Sequence, residues 1–301
     1  MNADIDQIVS KISRHVIGKE KQVKLALCAY LVQGHVLIED LPGMGKTSLA
    51  VALSKVVGLH YQRVQFTSDM LPSDLLGVSI FDVNANRFNF KKGPIFTECL
   101  LADEINRATP KTQSALLEAM GEKQVSIEGE TMALADDFFV IATQNPLSQY
   151  GTYPLPESQL DRFLISIEMG YPDHEAEKQL LQRGVAPSSL NYDEMHYAFL
   201  TQAKSAIDTI FVADHLIVYV QSLLKQTREH AQLQYGISPR GALALLKMAK
   251  AWAFINDRDY LIPEDIQQVI KPVFVHRLCY AAESQAAAEQ IVNQIILNTA
   301  I

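Results

Sequence analysis

The chain has 301 residues, 48 % of them hydrophobic, with 26 lysines and arginines against 34 acidic residues and a formal net charge of −8. That length builds one large or two modest domains with a full core, and the acidic balance argues against nonspecific nucleic-acid binding as the main activity. No apolar run approaches the roughly 18 residues of a membrane helix, and the polar, acidic start at residues 1–6 does not read as a secretory or transit signal. Cys28, Cys99 and Cys279 are far apart, odd in number and set among apolar neighbours, so they are expected as core thiols in a reducing cytoplasm.

In chain order, the early positive charges Lys11, Arg14, Lys19, Lys21 and Lys24 fall at helical spacing and read as a solvated face. An apolar run at 35–38 then reads as a buried parallel strand. It leads into Glu39-Asp40-Leu41-Pro42-Gly43-Met44-Gly45-Lys46-Thr47-Ser48 and a helical start at 49–53. Strand, glycine-rich turn and helix are the context that a phosphate-binding loop needs. Glycines let backbone N–H groups curl around a phosphate, and the helix N-terminus adds about half a positive charge there. Lys46 can reach the β- and γ-phosphates and the Thr47 hydroxyl can ligate Mg²⁺. Asp40 departs from the pattern G-x-x-x-x-G-K-[ST], which has glycine at that position.

Further strands are predicted at 61–66, 99–102, 138–143 and 163–167, each near-continuous in apolar residues, as in a parallel sheet covered on both faces. Two short hairpins interrupt them: 77–82 with 87–92 around Asn84-Ala85-Asn86, and 124–127 with 131–134 around Glu128-Gly129-Glu130. The strand at 99–102 ends in Asp103-Glu104. Beside a phosphate loop, the first carboxylate suits Mg²⁺ and the second suits polarisation of an attacking water, which points to hydrolysis. Without the loop, the pair would serve equally well as a helix N-cap. Asn145 lies just past the strand at 138–143, at the end where open α/β sheets bind ligands; before Pro146 it also suits a turn. Arg162 precedes the last strand, and Arg240 opens a later helix in Ser238-Pro239-Arg240; each taken singly reads as a surface ion pair.

Gly170-Tyr171-Pro172 punctuates the chain, and beyond it helices are predicted at 175–183, 190–206, 213–230, 240–255, 263–276 and 281–298. The predicted organisation is therefore an α/β domain at 1–185 followed by an all-helical domain at 186–301.

Taken in order along nearly the whole chain, these motifs resemble the AAA+ ATPases, and within them the MoxR family. Ile17-Gly18-Lys19-Glu20 is similar to the family's adenine-side motif, in which glutamine often stands at position 19. Residues 39–47 are similar to its Walker A loop, where Asp or Gly occurs at position 40. Arg63-Val64-Gln65-Phe66-Thr67, Leu71-Pro72-Ser73-Asp74 and Gly93-Pro94-Ile95-Phe96 match characteristic segments, as do 103–108 and 145–163. Ser238-Pro239-Arg240 resembles sensor 2, with Gly241 where the family commonly has alanine, a difference that costs a helix roughly 1 kcal/mol.

The resemblance implies an AAA+ αβα nucleotide-binding domain with a parallel sheet, followed by a smaller all-helical lid. It implies ATP/ADP and Mg²⁺ as ligands; the absence of an Asn-Lys-x-Asp segment favours adenine over guanine. Ile17, Gly18, Pro42, Gly43, Met44, Gly45, Lys46, Thr47, Ser48 and Asp103 would surround the nucleotide, with Thr47 and Asp103 on the metal. Glu104 would be the catalytic carboxylate and Asn145 sensor 1. Arg162 would be an arginine finger offered to the neighbouring subunit, and Arg240 a sensor reaching from the lid onto the bound nucleotide. The hairpins would be substrate-contacting loops near a central pore. The family reading further implies a cytoplasmic homo-oligomer, a hexameric ring, that remodels or activates protein partners, often ones with a von Willebrand factor A domain. Two other readings stay open: a motor subunit acting on nucleic acid or in a chelatase-like complex, and a nucleotide-gated binding module with little turnover.

Overall fold

A computed structural model describes residues 2–84, 86–127, 129–145, 151–184 and 197–300. The first half runs α1 (Asn2–Ser13), α2 (Glu20–Leu31), β1 (Val36–Glu39), α3 (Lys46–Val57), β2 (Tyr61–Gln65), α4 (Pro72–Leu76), β3 (Gly77–Asp82), β4 (Arg87–Lys92) and β5 (Cys99–Asp103). A single 3-10 turn, Ile105–Arg107, leads to α5 (Pro110–Glu122), β6 (Gln124–Ile127), β7 (Glu130–Ala133), β8 (Phe139–Gln144), α6 (Glu157–Leu160) and β9 (Ile165–Ile167). The helices α7 (His174–Arg183), α8 (Tyr197–Asp208), α9 (Asp214–Glu229), α10 (Pro239–Ile255), α11 (Pro263–Leu278) and α12 (Gln285–Asn298) follow.

The five predicted core strands form one sheet in the order β2-β5-β8-β1-β9, parallel throughout. Their apolar side chains divide between two faces by the period-two rule. Val36, Ile38, Leu101 and Ile141 face one core; Leu37, Leu100, Ala102 and Val140 face the other. The second core is closed mainly by α5, with Phe66, Phe138 and Phe163. The first continues without a break through α1–α3 into α8–α12. The helical region is thus seated on the flank of the sheet, with α10 against α2 and α11 against β9.

Details differ from the sequence reading for local reasons. The edge strand β2 leaves Gln62, Arg63 and Gln65 exposed rather than being covered on both faces. The last helix begins at Gln285, not 281, because Glu283 turns left-handed (φ 63°) and the Ser284 hydroxyl caps the Ala287 N–H at 3.2 Å. Lys19 is not on a solvated face: it is buried, and its Nζ donates to the Tyr171 carbonyl at 2.7 Å. Cys28 and Cys99 are buried, whereas Cys279 is only partly so. The beginning of the helix predicted at 190–206, the division between 185 and 186, the turn residues Ala85 and Glu128, and Pro146 lie outside the described residues. Both hairpins form, and the first carries exposed apolar side chains, with Phe81 and Phe88 edge to face at 5.2 Å. Among the described residues no helix is long and apolar enough to cross a membrane.

His35, just before β1, ties three elements together. Its Nδ1 accepts the Val140 N–H at 3.1 Å, so Nε2 carries the proton facing the Met120 carbonyl at 3.2 Å. Burial pushes this imidazole down to about 4; the Met120 hydrogen bond opposes the shift, and the charges of Lys123 and Arg240 add to it. His276 is lowered as well, chiefly by burial. In the unfolded chain a histidine titrates near 6.5, so acid protonates the unfolded state first. The stabilisation from a neutral His35 should be complete above about pH 6.5 and be lost progressively towards about pH 4. A denaturant titration should show a loss of about 2 kcal/mol from this residue between pH 7 and pH 5, and a smaller loss in a His35→Gln variant.

Candidate functional site

The parallel register brings β1, β2, β5 and β8 to one sheet edge at Glu39, Gln65, Asp103 and Gln144. Between β1 and α3 the chain turns through two left-handed glycines, Gly43 (φ +84°) and Gly45 (φ +86°), and a Cβ on either would meet nothing within 4 Å. The conformation, not the space, requires glycine there. Among the described residues, the backbone N–H groups of 43–48 have no backbone acceptor; Leu49 is the first to bond back, to the Gly45 carbonyl at 3.0 Å. Unpaired N–H groups around a concave turn at a helix N-terminus form an anion cradle. Lys46 is buried across it and donates to the Asp40 carbonyl at 2.7 Å. Burial lowers the Lys46 ammonium from its usual range, while Asp103, Asp40 and Glu104 push it back up. Thr47 is partly exposed; Pro42 and Ser48 are exposed.

Two strands away, Asp103 is buried at the end of β5, accepting from the Thr143 hydroxyl at 2.5 Å and the Arg63 guanidinium at 2.6 Å. Glu104 adopts a left-handed conformation (φ 56°), uncommon for a residue other than glycine. The same Thr143 Oγ1 accepts its N–H at 2.9 Å. Its carboxylate accepts from Gln65 at 3.0 Å and Arg107 at 2.9 Å. Asn145 follows β8 on this edge, its carbonyl reached by the Asn106 amide at 3.4 Å. Among the described residues, no group of three or more His, Cys, Asp or Glu could hold a metal by itself. One hydroxyl (Thr47) and one carboxylate (Asp103) are the sparse protein donors that suit Mg²⁺, which keeps several waters and takes phosphate oxygens.

Asp40 is occupied at both oxygens: Oδ1 accepts the Leu41 N–H at 2.7 Å and Oδ2 the Gly170 N–H at 2.6 Å. It ties the loop to the segment that Lys19 also holds at Tyr171. Gly18 (φ +74°) backs onto α7, where a Cβ would lie 2.5 Å from the Ala176 Cβ. Ile17 and Gly18 line a cleft of about 410 Å³ with residues of α1, α2 and α7.

Arg162 and Arg240 are elsewhere. Both line a cleft of about 300 Å³ with His35, Lys123, Lys247 and Arg277, at the edge where β1 and β9 begin. A four-residue strand spans about 13 Å, and the loop lies beyond its far end. Arg240 was expected to reach from the lid onto the bound nucleotide. Because α10 packs on α2 rather than above the loop, Arg240 instead shares a basic cleft with Arg162 at the opposite edge. Among the described residues Arg240 makes no hydrogen bond or ion pair; Arg162 donates to the Leu117 carbonyl at 2.7 Å.

Comparison with known proteins agrees with this architecture. The model of the ATPase family associated with various cellular activities (AAA) matches residues 35–165, and the AAA lid domain matches 225–295. Chaperone MoxR1 of Mycobacterium tuberculosis is 38 % identical, with 98 % of this chain and 80 % of that protein aligned. The chain belongs to the MoxR family of AAA+ ATPases. Bacillus subtilis YeaC is similar at 43 % identity, over 97 % of this chain and 93 % of its own length. The crystal structure of a Cytophaga hutchinsonii protein assigned as an ATPase superposes with TM-score 0.88 at 38 % identity, covering 100 % of this chain and 95 % of that one.

Within this MoxR-family site, the sequence motifs gave no role to Thr143, Gln65, Arg63 or Arg107. Thr143 is detectable as a hydroxyl at the end of an apolar strand. Arg63 and Gln65 alternate along β2, as two side chains on one face must. Asp40 generates a test. Asp40→Gly should lower unfolding stability by about 1–3 kcal/mol through loss of two carboxylate hydrogen bonds, and hydrogen exchange should quicken at the Leu41 and Gly170 amides. Unchanged exchange at Gly170 would mean that the loop is held by other contacts.

Proposed function

We propose that this chain hydrolyses ATP to ADP and phosphate as a homo-oligomeric ring, and couples turnover to remodelling or activation of protein partners. The observation that carries the reading is the separation of the chemistry onto two edges. The cradle, Lys46, Asp103, Glu104 and Asn145 share one edge, while Arg162 and Arg240 share the other. Neither edge alone makes a complete phosphoryl-transfer site; a head-to-tail neighbour would complete it.

In this reading the N–H groups of 43–48 bind the phosphates, and Lys46 exchanges the Asp40 carbonyl for β- and γ-phosphate oxygens. Ile17 and Gly18 form the wall for the adenine. Thr47 and Asp103 would hold Mg²⁺, which neutralises charge on the phosphate oxygens. Glu104 takes the proton of the attacking water as Asn145 orients that water and the γ-phosphate. Arg162 and Arg240 stabilise the charge developing on the phosphate of the next copy. An arginine supplied in this way is worth about 10³–10⁵ in rate, so turnover per chain should rise steeply with protein concentration as copies assemble.

The similarity to Chaperone MoxR1 supports a chaperone role. The partner class that follows from the family reading is a protein with a von Willebrand factor A domain, and the compartment is the cytoplasm. The division into a nucleotide-binding domain at 1–185 and a helical lid at 186–301 belongs to the same proposal.

A first test separates binding from chemistry. Glu104→Gln should keep ATP affinity and lose hydrolysis by at least about 10²-fold, whereas Lys46→Ala should lose affinity. Equal turnover in Glu104→Gln and the wild type would refute the enzyme reading. A second test addresses the shared site. Arg162→Ala and Lys46→Ala chains, each inactive alone, should regain part of the activity when mixed, because one contributes an intact loop and the other an intact arginine. No recovery in confirmed mixed assemblies would remove the intersubunit role.

A further inference from the structure

Arg277 stands in the last turn of α11 and is buried. Its Nε donates to Asp161 Oδ1 at 2.7 Å, its Nη2 to the Phe163 carbonyl at 2.7 Å, and its Nη1 to the Leu164 carbonyl at 3.1 Å, with a further contact to the Val273 carbonyl. Three of these acceptors bracket Arg162, on the residue before it and the two after. One guanidinium from the helical region therefore fixes the chain on both sides of the arginine expected to serve a neighbour. Arg162 is also confined at its tip: Nη1 donates to the Leu117 carbonyl, and a Cβ at Gly121 would come within 2.3 Å of that nitrogen.

The same guanidinium stem touches the other arginine's helix. Gly241 directly follows Arg240, and a Cβ there would stand 3.1 Å from Arg277 Cδ, 3.4 Å from Arg277 Nε and 2.8 Å from a methyl of Ile237. This accounts for the glycine at a helical position where its cost would otherwise be unexplained. α10 and α11 pack closely along their lengths, and Arg162, Arg240 and Arg277 line one cleft. Burial lowers the Arg277 guanidinium from its usual range and the Arg240 charge adds to this, but the Asp161 hydrogen bond and charge oppose it, so the pairing sustains a buried cation.

We propose that Arg277 is a positioning residue that locks Arg162 and Arg240 into one rigid unit, so that a shift of the helical region moves both arginines together relative to the neighbouring copy. The proposal rests on the intersubunit reading of Arg162 given above. It requires an arginine, because a lysine at 277 could pair with Asp161 but could not bridge the carbonyls of Phe163 and Leu164 at the same time.

The experiment compares Arg277→Lys and Gly241→Ala with the wild type, alone and mixed with Lys46→Ala chains; the second variant crowds Ile237 and Arg277 without removing any of Arg277's partners. Each variant alone should lose about 10- to 100-fold in kcat, the scale of a misplacement near 1 Å. ATP affinity should stay within about 2-fold, since each variant keeps its own loop. Mixing with Lys46→Ala should restore activity, because those chains offer intact arginines to the variant's loop. An unchanged kcat in both variants, a loss of ATP affinity, or a defect that persists in the mixture would overturn the proposal. Mixing Arg162→Ala with Lys46→Ala in parallel distinguishes the two levels. Recovery there without recovery for Arg277→Lys overturns only the role of Arg277; no recovery in either overturns the intersubunit reading on which it rests.

Discussion

In an all-parallel sheet every strand points the same way, so the chain has two chemically different edges, one of strand ends and one of strand beginnings. The pairing of β1 between β8 and β9 fixes which residues occupy each edge. A one-residue slip of β1 would exchange Leu37 with its neighbours between the two cores and turn the loop root by a half-period. Covering both faces with apolar helices makes that slip prohibitive, and Thr143 on β8 then holds the Asp103 carboxylate and the Glu104 backbone N–H through one hydroxyl. The site is rigid because its frame is buried, while the atoms it offers to a ligand stand just beyond the frame.

The edge of strand ends mixes acidic groups with Lys46, Arg63 and Arg107, whereas the opposite edge is mainly basic. Asp40, Asp103 and Glu104 surround Lys46 at the strand ends, and Glu39 nearby is raised chiefly by burial, with the Ser166 hydroxyl donating to it at 2.8 Å and opposing the shift. Arg162, Arg240, Lys247 and Arg277 gather at the strand beginnings. A basic cluster confined to one end of the body favours head-to-tail contact over face-to-face contact, which would set like charges together. The net charge of −8 conceals this polarity, since it sums over both ends.

What could be read from the sequence was what local chemistry decides. The loop at 40–48 was legible because glycines, a lysine and a hydroxyl must follow one another directly to make a cradle. The core strands were legible because burial on both faces demands continuous apolar runs. Thr143 and Arg277 were not legible as site residues, because a hydroxyl or a guanidinium acquires a role only from acceptors contributed by distant strands. Arg240 was recognised as a residue type, but its edge was set by α10 packing on α2, a contact between segments more than two hundred residues apart that no local pattern encodes. Gly241 reads from the sequence as a mere weakness in a helix, whereas in the fold a methyl of Ile237 and the stem of Arg277 crowd the place of its missing side chain.

The bond from Lys46 to the Asp40 carbonyl has a thermodynamic consequence. A lysine already desolvated and already donating to an oxygen does not have to be stripped of water or ordered when a phosphate arrives; it changes one oxygen partner for another. The N–H groups of 43–48 are likewise held in their curve by the strand and helix on either side. Ligand entry at the phosphates is then a substitution inside a finished frame rather than a folding event. The ordering cost at the phosphates is then small, because the groups that meet them are already in place.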